Sequence, residues 1–369
     1  MPDVVVIGGG IAGVSAAYYL APHAEVTVVE REPVLAYHTT GRSAALLFEN
    51  YGSAAIRPLT RASLTFLRDP PGDLVDGALL SRRGGLVVGR PEQTETLRAG
   101  FADALTAGRV DWVDEQATRA LAPCIREGYA GGGVWDPDAC DIDVASLHQA
   151  FVRGLRRSGG NIITAAPVTS LHKVGERWRV EAGESVIEAA VVVNASGAWG
   201  DEVAAAAAVA TVRLQPMRRT VFMVAGSDEA RQWPMVIDAD EQFYFKPDGP
   251  QILCSPADET PSPPCDARPE EIDIALAIER INAATTLGIR SVRSSWAGLR
   301  TFAPDRAPVT GFEPSAAGFF WLVGQGGTGI QTSPGAGRLA ASLILDGKPP
   351  ADMVQAGLTV DMLSPLRLR

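Results

Sequence analysis

The chain opens on a β-branched run, Val4, Val5, Val6 and Ile7, that stops at Gly8, Gly9 and Gly10. Helix-compatible residues follow from Ile11 to Leu20, and a second β-branched run, Val26 to Val29, ends at Glu30. Strand, tight turn, helix and strand within about 30 residues is the opening unit of a doubly wound α/β sheet. Gly8, Gly10 and Gly13 fit the spacing G-x-G-x-x-G. The first glycine permits the turn, the second lets a pyrophosphate approach the backbone, and the third lets helix and strand pack closely. The helix N-terminus then offers unpaired N–H groups to phosphate, and Glu30, about 20 residues on, suits ribose hydroxyls.

The same stretch has a rival reading, because no charged residue falls between Val4 and Pro22. A signal peptide or membrane span would want a basic leader and continuous helix; Asp3 and the three glycines oppose both, so no transmembrane segment is expected.

A length of 369 residues suggests two domains, or one large α/β domain with an insertion. Hydrophobic residues at 46% and charged residues at 21% suffice for a sizeable core and disfavour disorder. The net charge of −10 argues against nucleic acid as a partner. Cys124, Cys140, Cys254 and Cys265 never pair as CxxC, and His23, His38, His148 and His172 lack metal-ligand spacing, so no metal site is expected and a reduced, cytoplasmic setting fits best.

The fingerprint alone leaves NAD and FAD both open. Two further glycine-bearing stretches bear on the choice. His38 to Ala45 reads as the opening of a second helix, and Gly324 to Gly329 lead from the buried strand Phe319 to Val323 into another. One helix N-terminus suffices for a pyrophosphate; a second aimed at the same cofactor suggests a group that becomes negative, which reduced flavin has and nicotinamide lacks. Ala190 to Asn194, running into Ala195 to Trp199, gives another tight backbone approach, and Gly131 to Gly133 read as a break before a helix capped by Asp143.

In order along the chain, GGGIAG, VVERE, YHTTGRSAA, DIDVASLHQAF, VVNASGAW, SWAGLRTFAPD and GQGGTGIQTS resemble the D-amino-acid oxidase superfamily of FAD-dependent amine oxidoreductases, and within it the bacterial D-arginine dehydrogenases. The resemblance implies a glutathione-reductase-type Rossmann FAD-binding domain and a second, substrate domain built on a mixed β-sheet. Residues 1–80, 140–212 and 290–369 would form the first, 81–139 and 213–289 the second. Glu259 to Pro269, rich in proline, reads as a surface loop.

Carried over by that resemblance, the FAD contacts are Gly8, Gly10, Ile11, Ala12 and Gly13 at the pyrophosphate, and Glu30 and Arg31 at the adenosine ribose. Thr39, Thr40, Gly41, Arg42, Ser43, Ala44, Ala45 and Leu46 run under the pyrophosphate, ribityl chain and isoalloxazine. Val168, Ser196, Gly197 and Trp199 join them, and Gly326, Gly327, Thr328, Gly329, Ile330, Gln331 and Thr332 lie along the flavin's pyrimidine side. His38 is not expected to attach the cofactor, which should be held noncovalently.

The resemblance implies a substrate amino acid or amine held by Arg219 and Arg300, whose planar forks suit a carboxylate. Arg218 stays open as the inward residue if the strand register differs. Tyr51 and Tyr244 would offer hydroxyls and the Gly327 carbonyl would accept from the amine. Leu46, Phe48, Gly85, Met235 and Ile237 would line the pocket. Three of these depart from the D-arginine dehydrogenase pattern: Gly85 replaces a glutamate that holds guanidinium, Leu46 a histidine, and Phe48 a threonine. The implied activity is oxidation of a CH–NH2 group by hydride transfer to flavin N5, followed by hydrolysis to a 2-oxo acid and ammonia, with apolar or neutral D-amino acids preferred over D-arginine. Gly85→Glu would then gain D-arginine turnover. A sarcosine, glycine or proline-type oxidase, and a subunit of an amine-oxidising complex, are the alternatives; the electron acceptor, oxygen or a quinone-like molecule, stays open.

Overall fold

The computed structural model describes residues 3–369. Its first sheet has six strands, in the order Val309–Phe312, Phe319–Val323, Val191–Asn194, Asp3–Ile7, Glu25–Val29 and Asn161–Ile163. All neighbours are parallel except the pair at the Val309 edge. Side-chain alternation in the opening strand decides what covers each face. Val4 and Val6 pack with Ala16, Ala17 and Leu20 of the helix Ile11–Leu20 and with Leu339 and Leu343 of the helix Gly329–Asp346. Val5 and Ile7 point the other way, into a cluster with Leu171, Trp178 and Val180 of a small antiparallel sheet formed by Val168–Val174, Arg177–Ala182 and Ser185–Ala189.

The second large sheet is mixed. Along it run Thr260–Pro261, Gln215–Ala225, Gln251–Ser255, Tyr244–Asp248, Met235–Asp238, Gly85–Gly89, Gly132–Asp136 and Asp111–Val113, and Ser294–Phe302 pairs with Gln215–Ala225 from Gln215 to Met223. Met235–Asp238 and Gly85–Gly89 are parallel; their neighbours are antiparallel. A second three-stranded sheet joins Leu46–Leu47, Cys140–Ile142 and Leu80–Arg82. Ser294–Phe302 thus lies in the mixed sheet, whereas the boundary expected near residue 290 groups it with the nucleotide unit.

Two local expectations are corrected. His38 to Ala45 does not open an α-helix; it makes a single 3-10 turn, Thr40–Arg42, and then runs extended. Thr39 Oγ1 donates to Leu299 O (2.9 Å), Arg42 Nη1 donates to Ala297 O (2.9 Å) and Trp296 Nε1 donates to Arg42 O (3.1 Å), so contacts to a distant strand override local helix preference. Gly132 and Gly133 are not a break either, because the strand Gly85–Gly89 offers them an edge to pair with. Asp143 does cap the helix Val144–Arg157, its carboxylate accepting from Ser146 N at 2.9 Å. The four cysteines are free thiols, and no helix among the described residues is long and apolar enough to cross a membrane.

Candidate active site

Three cavities follow one another across the junction of the two large sheets. The first, about 370 Å³, lies over the glycine turn and is lined by Gly8, Gly10, Glu30, Arg31, Thr39, Thr40, Val168, Ser196, Gly197 and Trp199. Gly10, Thr39, Thr40 and Gly197 also line the second, about 150 Å³, which reaches Ile11, Ala12, Arg42, Ser43, Ala44, Gly326, Gly327, Gly329 and Ile330. Ser43, Ala44, Arg219, Tyr244, Arg300 and Gly327 are shared by the second and the third, about 610 Å³. The shared lining makes the three a continuous path.

The nucleotide end is built from the backbone. Gly8 takes φ +111°, and a Cβ there would stand 2.5 Å from Ala195 O; one at Gly13 would stand 1.9 Å from Gly8 O. Only glycine at these two positions lets the strand, the turn and the helix approach this closely. The Glu30 carboxylate accepts from Gly9 N (2.7 Å) and Glu32 N (2.9 Å), which fixes it beside the cavity with acceptor capacity left for hydroxyl groups. Thr40 Oγ1 takes the Ile11 N–H at 3.0 Å, so one early amide of the helix is satisfied from a distant loop.

His148, which sequence spacing placed in no site, completes this end. It sits on the buried face of Val144–Arg157, and its Nε2 lies 3.0 Å from Gly9 O, so the ring donates to that carbonyl. Gly9 is held at both its N–H and its C=O. Burial pushes the His148 value down, favouring the neutral ring. The apolar 3.6-residue stripe through Leu147, Phe151 and Leu155 is the signal that points His148 inward.

At the second cavity the helix Gly329–Asp346 begins with Gly329 and Ile330 on the lining, where its first amides meet whatever the cavity holds. Ala45, Leu46 and Gln331 face the third cavity instead, and Gly13, Gly41, Thr328 and Thr332 line none of the three. Gly298, Leu299, Thr301 and Gln325 line the second cavity without having been singled out; they come from the strand that crosses over it and the loop that follows Val323. Arg42 spends its guanidinium on Ala267 O, Ala297 O and Asp266, so the loop expected to be mere surface braces the turn Thr40–Arg42 at the second cavity.

The third cavity gathers every expected pocket residue: Leu46, Phe48, Tyr51, Gly85, Met235, Ile237, Tyr244, Arg219, Arg300 and Gly327. Strand register settles which arginine faces it. Arg219 stands opposite Gly298 and Met217 opposite Arg300, so Arg219 and Arg300 are diagonal neighbours on one face with no side chain between them. Arg218 points to the other face, where it pairs with Glu270 and with Asp273 (2.7 Å). Arg219 donates from Nε to Asp258 O (2.8 Å) and pairs through Nη2 with Glu259 (3.2 Å). Arg300 has no carboxylate within ion-pair distance among the described residues, and its guanidinium lies 3.0 Å from where a Cβ on Gly327 would be. Burial and the neighbouring Arg219 charge both hold Arg300 below the ordinary arginine value, the environment of a cation that awaits an anion.

The wall of this cavity is not wholly apolar, as the three departures had implied. Asp136, opposite Gly85 on the adjacent strand, and Asp238 both line it. Asp136 accepts from Asn50 Nδ2 (3.0 Å) and from the amides of Asp138 and Ala139, and burial raises its carboxyl above the usual range. Phe48 takes the place a side chain at position 85 would need: a Cβ on Gly85 would meet Phe48 Cε1 at 2.2 Å. The glycine and the phenylalanine are therefore one coupled change.

The sequence profile of the family described as "FAD dependent oxidoreductase" matches residues 3–343. Glycine oxidase of Bacillus licheniformis is 25% identical over 365 residues, spanning 96% of both chains. Human mitochondrial dimethylglycine dehydrogenase is 25% identical over 394 residues, but the match covers 96% of this chain and 43% of that protein. Among solved structures, L-proline dehydrogenase from P. horikoshii superposes with a TM-score of 0.87 at 20% identity, covering 99% and 97% of the two chains. Glycine oxidase from Geobacillus kaustophilus does so with 0.82 at 20% identity, covering 95% and 96%. These likenesses bear out the superfamily but not the narrower likeness to D-arginine dehydrogenase.

Proposed function

From the premise that the chain belongs to the family of FAD-dependent oxidoreductases, we propose that it oxidises the C–N bond of a small amine bearing one carboxylate, of the glycine, N-methylglycine or proline type. The observation that carries this reading is Arg300: a half-buried guanidinium with no carboxylate partner among the described residues, on the wall shared by the second and third cavities. Bound FAD supplies a two-electron acceptor for the α-carbon's hydrogen. Gly8, Gly10, Glu30 and Thr40 would hold its nucleotide half, and Ser43, Ala44, Gly329 and Ile330 its ring half.

This chain's own residues then position the substrate. Arg300 orients the carboxylate, Arg219 adds a second, less available donor set, and the Gly327 carbonyl accepts from the amine. Leu46 and Phe48 beside them exclude water and favour the uncharged amine, whose lone pair is needed for oxidation to an imine. Water then converts the imine to carbonyl compound and free amine. His38 lines the first cavity beside Glu32 (2.9 Å) and Trp199, at the nucleotide half, which supports noncovalent binding.

A second reading, oxidation of apolar D-amino acids, is favoured by the size of the third cavity, about 610 Å³, far more than glycine needs. Anaerobic mixing with glycine, sarcosine, proline and matched D- and L-amino acids, followed by the flavin absorbance band, separates the two. Fast bleaching by glycine, sarcosine or proline supports the proposal; preferential bleaching by D-leucine or D-phenylalanine supports the second reading. A band that stays oxidised with every amine sinks both.

A further inference from the structure

Arg219 and Arg300 face one cavity as diagonal neighbours, yet their surroundings differ. Behind Arg219, on the side away from the cavity, stands Glu259. Its Oε1 is 3.2 Å from Arg219 Nη2, and both of its oxygens lie 3.0 Å from Arg306 Nη2. Arg306 is half exposed and its guanidinium rests 3.8 Å from the centre of the Phe302 ring, so an outer cation fixes the carboxylate while solvent screens that cation's charge. Asp258, next in sequence, is spent elsewhere: its side chain accepts from Thr220 N (2.6 Å) and Thr220 Oγ1 (3.0 Å), and its backbone carbonyl takes Arg219 Nε. Glu259 is therefore the carboxylate that offsets Arg219, and Arg300 is left as the unbalanced cation.

We propose that Glu259 is a specificity-determining residue: by offsetting Arg219 it leaves Arg300 as the one uncompensated guanidinium at the arginine end of the cavity, and so selects amines carrying a single carboxylate over those carrying two. This rests on the proposed reading of Arg300 as a carboxylate anchor. A second substrate carboxylate would have to take Arg219 from Glu259, or lie without a cation of its own in a cavity whose far wall carries Asp136 and Asp238, which costs desolvation and like-charge repulsion. With Glu259 neutralised, both guanidiniums become available and the preference is lost.

The test uses the FAD-loaded protein and non-reacting probes, acetate and propionate against malonate and succinate, titrated by perturbation of the flavin spectrum at fixed ionic strength. The wild-type protein is expected to bind the monocarboxylates at least about tenfold more tightly than the dicarboxylates, and Glu259→Gln to narrow or invert that ratio by at least about tenfold. Arg306→Gln, which only loosens the carboxylate's outer anchor, should move the ratio in the same direction and less. Sarcosine against iminodiacetate, compared as kcat/KM, should follow the same order. A ratio that Glu259→Gln leaves unchanged overturns the inference while leaving the anchor reading intact, and so does a dicarboxylate preference in the wild type. If Glu259→Gln does not fold, the ratio in Arg306→Gln decides. Failure of every carboxylate to perturb the spectrum overturns the anchor reading itself.

Discussion

At the nucleotide end of the groove, Gly8, Gly10 and Gly13 act through what they lack, and one local unit of strand, turn, helix and strand places them. At the substrate end, Arg219, Arg300, Tyr244, Phe48 and Gly327 act through what they present, and each arrives from a different segment of the chain. Fixed backbone geometry tolerates almost no substitution, whereas a pocket assembled from side chains can be retuned one wall at a time. The family likeness spans both ends, but only the first is constrained enough for residue identity to imply chemistry.

The sharpest way to break this contrast is Gly13→Val. A Cβ at 13 would sit 1.9 Å from Gly8 O, a backbone atom that cannot swing aside as the end of a side chain could. The expected cost is about 3 kcal/mol or more in urea unfolding, together with loss of bound flavin. Near-wild-type flavin content in the purified variant would show that this end is as adaptable as the other.

Arg300→Met comes next, with kcat/KM on the best substrate falling about a hundredfold to a thousandfold, the range for removing one member of a buried charge pair. Arg219→Met should cost less, about tenfold, because Arg219 is already shared with Asp258 and Glu259. Equal losses from the two variants would remove the distinction between a free and a committed guanidinium. Arg300→Lys should not rescue, since an ammonium cannot supply the planar fork.

These variants also mark how far the sequence could be read. The parallel-sheet opening, its glycines and Glu30 were legible because strand alternation, turn chemistry and helix entry are local. The choice between Arg218 and Arg219 was not, because one residue of register decides it, and the register comes from pairing with Ser294–Phe302, some 80 residues away. His38 to Ala45 read as the opening of a helix because the distant acceptors Ala297 O and Leu299 O that straighten it are invisible in the local pattern. Asp136 escaped notice for the same reason: it enters the cavity only by standing across from Gly85 on a neighbouring strand.

The pocket end offers a graded test of its adaptability. Gly85→Glu alone is not expected to confer D-arginine turnover, because Phe48 occupies the space; it should lower stability by about 1–3 kcal/mol instead. Gly85→Glu with Phe48→Thr should recover that loss and raise kcat/KM for D-arginine over the single variant. If the single variant gains the activity unaided, Phe48 moves more freely than its packing with Tyr244 and Met235 implies.

The smallest effect belongs to His148, which is buried and neutral in the folded chain, with its value held below that of an ordinary histidine. Between the two values the unfolded chain binds a proton that the folded chain refuses, so folding is favoured fully above about pH 6.5 and less as pH falls through the lowered value. One such group tilts stability by at most about 1.4 kcal/mol per pH unit. His148→Gln keeps a donor for Gly9 O and removes the titration, so its urea midpoint should change less than that of the wild type between pH 7 and pH 5.5. Because His148 acts on the backbone of Gly9, flavin retention in that variant should follow stability. Retention that falls while stability holds would mean the ring serves the nucleotide directly, and the nucleotide end would then depend on a side chain after all.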